Sequence, residues 1–190
     1  MNPVLRAKAM VFDPFAEWLL IERESGDPAF LLSRYVAVLA LIPAVFGFVG
    51  ASLIGAVVPS GVVHASLFDG FFGAIFGYAM AFAIVLLLGL IIEYLAPLFG
   101  GQKDFDAAFK LAVYSYTPVW LAGIFLLLPG LRFLALLGFY GVYVLVLGLP
   151  QLMKSPPKSY VYATVIVACA CALTYAASAA QRAVFGTFGY

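Results

Sequence analysis

Five long apolar stretches, separated by short breaks that carry proline, glycine or charged residues, occupy almost all of the chain after Arg34. They cover residues 35–58, 71–95, 109–128, 131–149 and 160–181. A helix that rises about 1.5 Å per residue needs about 20 apolar residues to cross the hydrocarbon core of a bilayer, and all five stretches reach or nearly reach this length. They do not alternate between apolar and polar residues, as the strands of a membrane barrel do. The stretches therefore predict five membrane-spanning helices.

The composition indicates the same class of protein. Hydrophobic residues make up 65% of the 190 residues, charged residues make up 10%, and the mean hydropathy is +1.10. A soluble domain of this size cannot enclose so much apolar surface in one core. The net charge of +1, without a basic run, excludes a nucleic-acid footprint. We expect an all-α, polytopic membrane protein that lies in a lipid bilayer: a cytoplasmic N-terminal segment (1–34), a five-helix bundle (35–182) and a short external tail (183–190).

The distribution of Lys and Arg predicts the orientation. With a cytoplasmic N-terminus, only Arg132 and Arg182 of the ten basic residues lie outside. The eight that lie inside are Arg6, Lys8, Arg23, Arg34, Lys103, Lys110, Lys154 and Lys158. Such an excess in short loops marks the cytoplasmic side. Five crossings then place the C-terminus outside.

A short amphipathic helix is predicted before the first span. Asp13 followed by Pro14 is typical of an N-cap and the first helical position. Phe15, Trp18 and Leu19 share one side of this helix, and Glu17 and Glu24 lie opposite. Two interpretations stay open: an interfacial helix with Trp18 at headgroup depth, or a helix that docks a partner.

Small residues at four-residue spacing predict smooth helix faces on three of the spans. Such faces allow close backbone contact, which matters where lipid supplies no hydrophobic drive for association. They are Gly47, Ala51 and Gly55 in the first span, Gly73, Gly77 and Ala81 in the second, and Ala168, Ala172, Ala176 and Ala180 in the fifth. These faces suit either packing within the bundle or a homo-oligomer interface.

Pro43, Pro118 and Pro150 are placed to bend or break spans, because proline removes a helical hydrogen bond. Pro118 follows a polar cluster in which Tyr114 and Thr117 share one helix face. In the fourth span, Tyr140 and Tyr143 are three residues apart and placed to meet that cluster. The group predicts either a hydrogen-bonded seam that fixes helix rotation or the lining of a polar cavity around a broken helix.

Glu93 is the only acidic residue within a predicted span. An ionisable side chain inside a membrane is a candidate functional group. Glu93 is, however, only two residues from the predicted end of its span, on the side of Lys103 and Lys110. It is therefore either a snorkelling or ion-paired interfacial carboxylate, or a group that binds a proton, a cation or a lipid headgroup.

Other reactive groups are sparse. His64, the single histidine, and Asp69 make an incomplete metal site by themselves. Cys169 and Cys171 diverge on a helix and cannot form a disulfide with each other. No nucleophile–base arrangement can be assembled from the sequence, so we expect no enzymatic activity, no metal and no cofactor.

Three motifs together resemble the Yip (Ypt-interacting protein) domain in its compact prokaryotic form. They are Phe99-Gly100-Gly101-Gln102-Lys103, Tyr114-Ser115-Tyr116-Thr117-Pro118-Val119-Trp120, and Tyr140-Gly141-Val142-Tyr143 running into Gly148-Leu149-Pro150-Gln151-Leu152-Met153-Lys154. Pro14, Trp18 and Ile21, followed by acidic residues, are similar to the family's entry segment. The resemblance covers nearly the whole chain.

The resemblance implies a five-span bundle with a cytoplasmic N-terminus. Eukaryotic members of the family are associated with vesicle trafficking, bind prenylated Rab-type GTPases and form complexes with related five-span proteins. GTPase binding is doubtful for this chain, because its N-terminal segment is shorter than theirs. Compact relatives are plasma-membrane proteins, so the resemblance implies a multi-pass protein of the plasma (inner) membrane of a prokaryote.

The leading hypothesis is a non-enzymatic membrane-organising protein that binds a membrane-protein partner or a second copy of itself. The alternative is a small transporter or channel for an ion, proton, lipid or small solute. Its path would use Glu93, the kinked third span and the tyrosines of the fourth. A third hypothesis is lipid handling at the bilayer interface.

Overall fold

The computed structural model describes residues 2–24, 26–59, 61–156 and 159–185, and five of its helical segments are long and apolar enough to cross a membrane. This confirms the predicted number of spans and the helical fold class. The five spans are Pro28–Ile54, Leu67–Phe99, Phe105–Leu127, Gly130–Leu152 and Tyr160–Phe185. Lys158 and residues 186–190 of the predicted external tail lie outside the described residues.

Two helices precede the spans, α1 (Pro3–Phe12) and α2 (Pro14–Arg23). Spans one, three and four are segmented, whereas the second begins with the long α-helix Leu67–Leu95 and the fifth is the single helix Tyr160–Phe185. The first span runs through Pro28–Leu31, the π-helix Leu32–Val36, Ala37–Leu39, Leu41–Phe48 and the π-helix Val49–Ile54. The second span ends in the 3-10 turn Ala96–Phe99.

The third span comprises the α-helices Phe105–Ser115 and Thr117–Ala122, followed by the 3-10 helix Gly123–Leu127. The fourth span comprises the 3-10 helix Pro129–Phe139, followed by the α-helix Tyr140–Leu152.

The same capping pattern in the sequence starts each of the first three helical segments. An Asn or Asp caps the helix with its side chain, and proline follows at the first helical position, where its missing N–H costs nothing. The pairs are Asn2-Pro3, Asp13-Pro14 and Asp27-Pro28, and each side chain accepts a backbone N–H of its first turn. The last pair starts the first span at Pro28, whereas its apolar run predicts a start at residue 35.

The first span ends at Ile54, short of the predicted end at residue 58. Gly55 has a φ of 75°, a conformation that L side chains rarely adopt, and it breaks the helix there. The next residues form a short antiparallel hairpin of β1 (Ala56–Val58) and β2 (Gly61–Val63). This hairpin, in the loop before the second span, is the exception to the helical architecture among the described residues.

The third span and the two N-terminal helices form the centre of the bundle. In the third span, 61% of the apolar segment is buried, compared with 11% in the fifth. Trp18 of α2 is 0% exposed, and its indole Nε1 donates a hydrogen bond of 3.0 Å to the carbonyl of Val144 in the fourth span. The Trp18 ring is therefore enclosed by protein, and its placement at headgroup depth stays a prediction.

Gly148 in the fourth span makes room for the Trp18 ring. A Cβ atom at this position would lie 2.6 Å from Cε2 of Trp18 and 2.6 Å from Cδ1 of Leu111. Neither neighbour is free to move, since Trp18 and Leu111 are both fully buried. Glycine is thus required by this close approach of α2 to the bundle.

We predict that Gly148→Ala destabilises the protein by about 1–3 kcal/mol, the usual cost of overpacking a core. Gly77→Ala is the matched control, because its Cβ would meet only Oε1 of Gln181 at 3.7 Å. The measurement is the thermal unfolding midpoint of each purified variant in the same detergent. Equal midpoints for the two variants would contradict the proposed slot for Trp18.

Candidate functional site

An ion cluster ties α1 to α2. The guanidinium of Arg6, whose side chain is 10% exposed, donates hydrogen bonds to the carboxylates of Glu17 and Glu24. Its Cζ atom also lies 5.9 Å from the centroid of the Tyr114 ring. Burial opposes the charged form, but the hydrogen bond to Glu24 and the charges of both carboxylates outweigh it, so the pKa of Arg6 is raised. The cluster holds the two helices together beside the third span.

Lys110 connects the end of α2 to the third span. Its side chain is buried, and its Nζ donates to the carbonyls of Ile21 at 3.1 Å and Glu24 at 2.9 Å. The last carbonyls of a helix have no partner within that helix, and an ammonium group satisfies them and complements the helix dipole. A second ion pair, between Lys154 and Glu22, joins α2 to the end of the fourth span.

The polar face predicted in the third span is buried in an aromatic cluster. Thr117 shares a hydrogen bond of 2.7 Å with the hydroxyl of Tyr35 in the first span. The Tyr114 ring packs edge-on against Tyr35, at 4.9 Å between centroids, and against Trp18 at 6.2 Å. Tyr114 and Thr117 are both almost fully buried. Their geometry has the features of the predicted seam between helices.

The tyrosines of the fourth span contact α1 and each other. The hydroxyl of Tyr140 donates to the carbonyl of Val11 in α1 at 3.0 Å, and its ring packs with Tyr143 at 5.4 Å. Tyr143 is exposed. The partners of Tyr114 described above come from α1, α2 and the first span.

Pro118 is buried and sits where the third span breaks. The helix Phe105–Ser115 ends before Tyr116, and Pro118 is in the first turn of the next segment, Thr117–Ala122. The Tyr116 ring packs with Trp120 at 5.9 Å between centroids, and its hydroxyl shares a hydrogen bond of 3.2 Å with Thr174 in the fifth span. The break thus directs polar side chains of the third span toward two different neighbours.

Glu93 is half-buried near the end of the helix Leu67–Leu95. Its neighbour Ile92 is fully buried, and the carbonyl of Ile92 accepts a hydrogen bond from the hydroxyl of Tyr162. Glu93 lines neither of the two clefts described next. Glu93 and the Tyr114 group therefore do not share either of these two clefts.

The small cleft has a volume of about 410 Å³ and lies between the third, fourth and fifth spans. Its walls are mainly apolar, with polar atoms from Ser115, Tyr116, Cys171, Thr174 and Ser178. The Ser115 hydroxyl is buried without a hydrogen-bond partner among the described residues. This cleft suits an apolar chain better than a hydrated ion.

The large cleft, of about 640 Å³, lies between the first, second and fifth spans. Five of the six small residues predicted as packing faces in the first two spans line it: Gly47, Ala51, Gly73, Gly77 and Ala81. Gly55 lies instead at the break that ends the first span. The two smooth faces turn toward each other and leave a gap between them. Arg132, Thr174, Ser178, Gln181 and Arg182 contribute its polar atoms.

Sequence reasoning missed the contacts of the N-terminal helices with the bundle. Two signals pointed to them: Glu17 and Glu24 are seven residues apart, which places them on one helix face, and Asn2-Pro3 repeats the capping pattern of Asp13-Pro14. His64 is exposed just after the hairpin, and within the described residues no three His, Cys, Asp or Glu side chains are grouped to hold a metal ion.

The five apolar spans and the buried helix-to-helix hydrogen bonds define an integral membrane protein of the helix-bundle class. The Yip1 domain matches residues 8–179, so the chain belongs to the Yip1 domain family. It is similar to inner membrane protein YohC of Escherichia coli K12, with 29% identity over 146 residues, 74% of this chain and 75% of the relative. The same protein of E. coli O6:H1 gives the same values. No solved structure matches.

We predict that Lys110→Met releases α2 from the bundle, because two carbonyls at the end of α2 lose a charged donor. The cost is on the order of 2 kcal/mol. The measurement is the rate of trypsin cleavage after Arg23 in the native protein, which should rise by about tenfold or more. Lys103→Met, in an exposed loop, is the matched control. Unchanged cleavage in Lys110→Met would contradict the role given to this lysine.

Proposed function

We propose that this protein is a non-enzymatic membrane-organising protein that binds another membrane-embedded helix through the outer face of its fifth span. The single observation that carries the proposal is the exposure of the alanine stripe there. The exposed residues are Ala168, Ala172, Ala176 and Ala180. The fifth span is also the most peripheral, with 11% of its apolar segment buried.

A smooth alanine face suits contact with another helix rather than with lipid. Within a bilayer, helices associate by van der Waals packing and hydrogen bonds, and small residues let their backbones approach closely. The opposite side of the fifth span is already used, since Tyr162, Ala163 and Ile166 are buried against the bundle. The partner is a second copy of this chain or a different membrane protein.

The location and orientation are part of the proposal. The relatives are inner membrane proteins of E. coli, which supports the inner membrane of a prokaryote for this chain. The excess of basic residues supports a cytoplasmic N-terminus and an external C-terminus. In this orientation the ion cluster of α1 and α2 lies at the cytoplasmic end of the bundle.

Transport through the third span receives less support. Tyr114 and Thr117 are packed in the aromatic cluster, and Glu93 is not among the lining residues of either cleft. The small cleft beside Tyr116 is mainly apolar. A path for an ion needs polar groups along its length. The seam interpretation of Tyr114 and Thr117 is therefore the one that we propose, with Glu93 as an interfacial carboxylate.

We predict that Ala172→Leu combined with Ala176→Leu breaks up the assembly, because two bulky side chains prevent close helix approach. The proteins are extracted from cells in native nanodiscs with a styrene–maleic acid polymer. Discs with the wild type should also contain a second protein, whereas discs with the double variant should contain that variant alone. The measurement is the protein mass per disc. Ala79→Leu, at an exposed alanine of the second span, is the matched control. A wild-type chain that is alone in its disc, or a double variant with unchanged mass, would contradict the proposal.

The orientation gives a separate prediction. Alkaline phosphatase folds only outside the cytoplasm, so a fusion after Phe185 should be active and a fusion in the loop after Lys154 should be inactive. Activity is measured in intact cells and normalised to the amount of fusion protein. The reverse pattern would contradict the assigned orientation.

A further inference from the structure

The large cleft combines an apolar gap with cationic side chains. The proposed binding of a partner helix to the fifth span gives no role to this combination. Its volume of about 640 Å³ is within the range of about 300–1,000 Å³ typical of ligand sites. Arg132 comes from the start of the fourth span, and Arg182 from the last turn of the fifth. An arginine in a spanning segment of a membrane protein is costly and calls for a functional explanation.

The charge of the cleft is one-sided. Both arginines line it, and no Asp or Glu is among its lining residues within the described part of the chain. The nearest carboxylate along the second span is Asp69, next to the lining residue Gly70 and in the first turn of its helix. A carboxylate there complements the helix N-terminus, so it already has a structural role. The cleft therefore favours an anion.

The polarity of the cleft changes with depth in the membrane. Arg132 and Arg182 lie near the ends of their spans, from which long cationic side chains can reach the headgroup region. From Gly73 to Ala81 the wall continues toward the bilayer centre for about 12 Å, at 1.5 Å per residue. Small side chains form that wall, and the amide of Gln181 is fixed by donating to the carbonyl of Gly73 at 3.0 Å. A charged mouth thus leads into an apolar slot.

We infer that the large cleft is a binding site for an anionic phospholipid. The lipid phosphate contacts the guanidinium groups of Arg132 and Arg182, and one acyl chain lies in the slot lined by Gly47, Gly77 and Ala81. Guanidinium groups match phosphate oxygens in geometry and charge, and they are less strongly hydrated than ammonium groups. The slot distinguishes a lipid from free phosphate, which would leave it unfilled.

The test measures lipid binding to the full chain in a neutral detergent by native mass spectrometry. The probes are dioleoyl phosphatidylglycerol and dioleoyl phosphatidylcholine, which share acyl chains and differ in headgroup charge, with inorganic phosphate as a competitor. We expect tighter binding of the anionic lipid by about tenfold or more, with no competition from millimolar phosphate. Arg132→Gln combined with Arg182→Gln should abolish this preference, and Arg34→Gln, an exposed arginine near the other end of the bundle, should retain it.

A second variant tests the slot separately from the charge. Gly77→Leu fills the apolar part and keeps both arginines, and it should weaken binding of the anionic lipid by about tenfold. If the wild type binds the two lipids with equal affinity, this measurement alone overturns the inference. Full competition by phosphate, or unchanged lipid preference in the double arginine variant, would also overturn it.

Discussion

Hydrocarbon offers no hydrogen-bond partner, so a polar side chain buried in this bundle gains a hydrogen bond only from within the chain. The indole of Trp18 meets this condition by reaching the carbonyl of Val144, 126 residues away. Tyr78 likewise donates to the carbonyl of Ala37 at 3.0 Å, and Lys110 donates to the end of α2. Each bond joins elements that are distant in sequence. These long-range polar contacts, rather than apolar burial alone, fix how the helices are arranged, because lipid tails are as apolar as the side chains themselves.

The N-terminal helices thereby pack against the spans of the bundle. With Trp18 in the slot at Gly148 and Arg6 held by Glu17 and Glu24, α1 and α2 cover the third span. The two proposals concern other surfaces: the outer face of the fifth span and the large cleft. The proposed partner binds the outer face of the fifth span, and the proposed lipid binds the large cleft. An experiment that contradicts one proposal therefore leaves the other unaffected.

The sequence predicts the features that depend on local chemistry. Apolar runs predict the number of spans, and Asp13 followed by Pro14 predicts the start of α2. The sequence does not predict features that depend on which residues, distant along the chain, pack against a helix. The amphipathic face of α2 suits a bilayer surface and a protein surface equally, and only the slot at Gly148 decides for burial of Trp18. Likewise, the smooth helix face at Gly77 is compatible with close packing of a neighbouring helix and with a cleft between helices. The spacing of small residues on one helix does not determine how near the neighbouring helix lies.

The most direct test of this account is hydrogen–deuterium exchange of the full chain in lipid nanodiscs. If α1 and α2 are integral to the core, their backbone amides should be protected to a similar degree as those of the second span, because opening them requires breaking the Trp18 and Lys110 contacts. Exchange of residues 3–23 as fast as that of an exposed loop, with the spans still protected, would contradict the account.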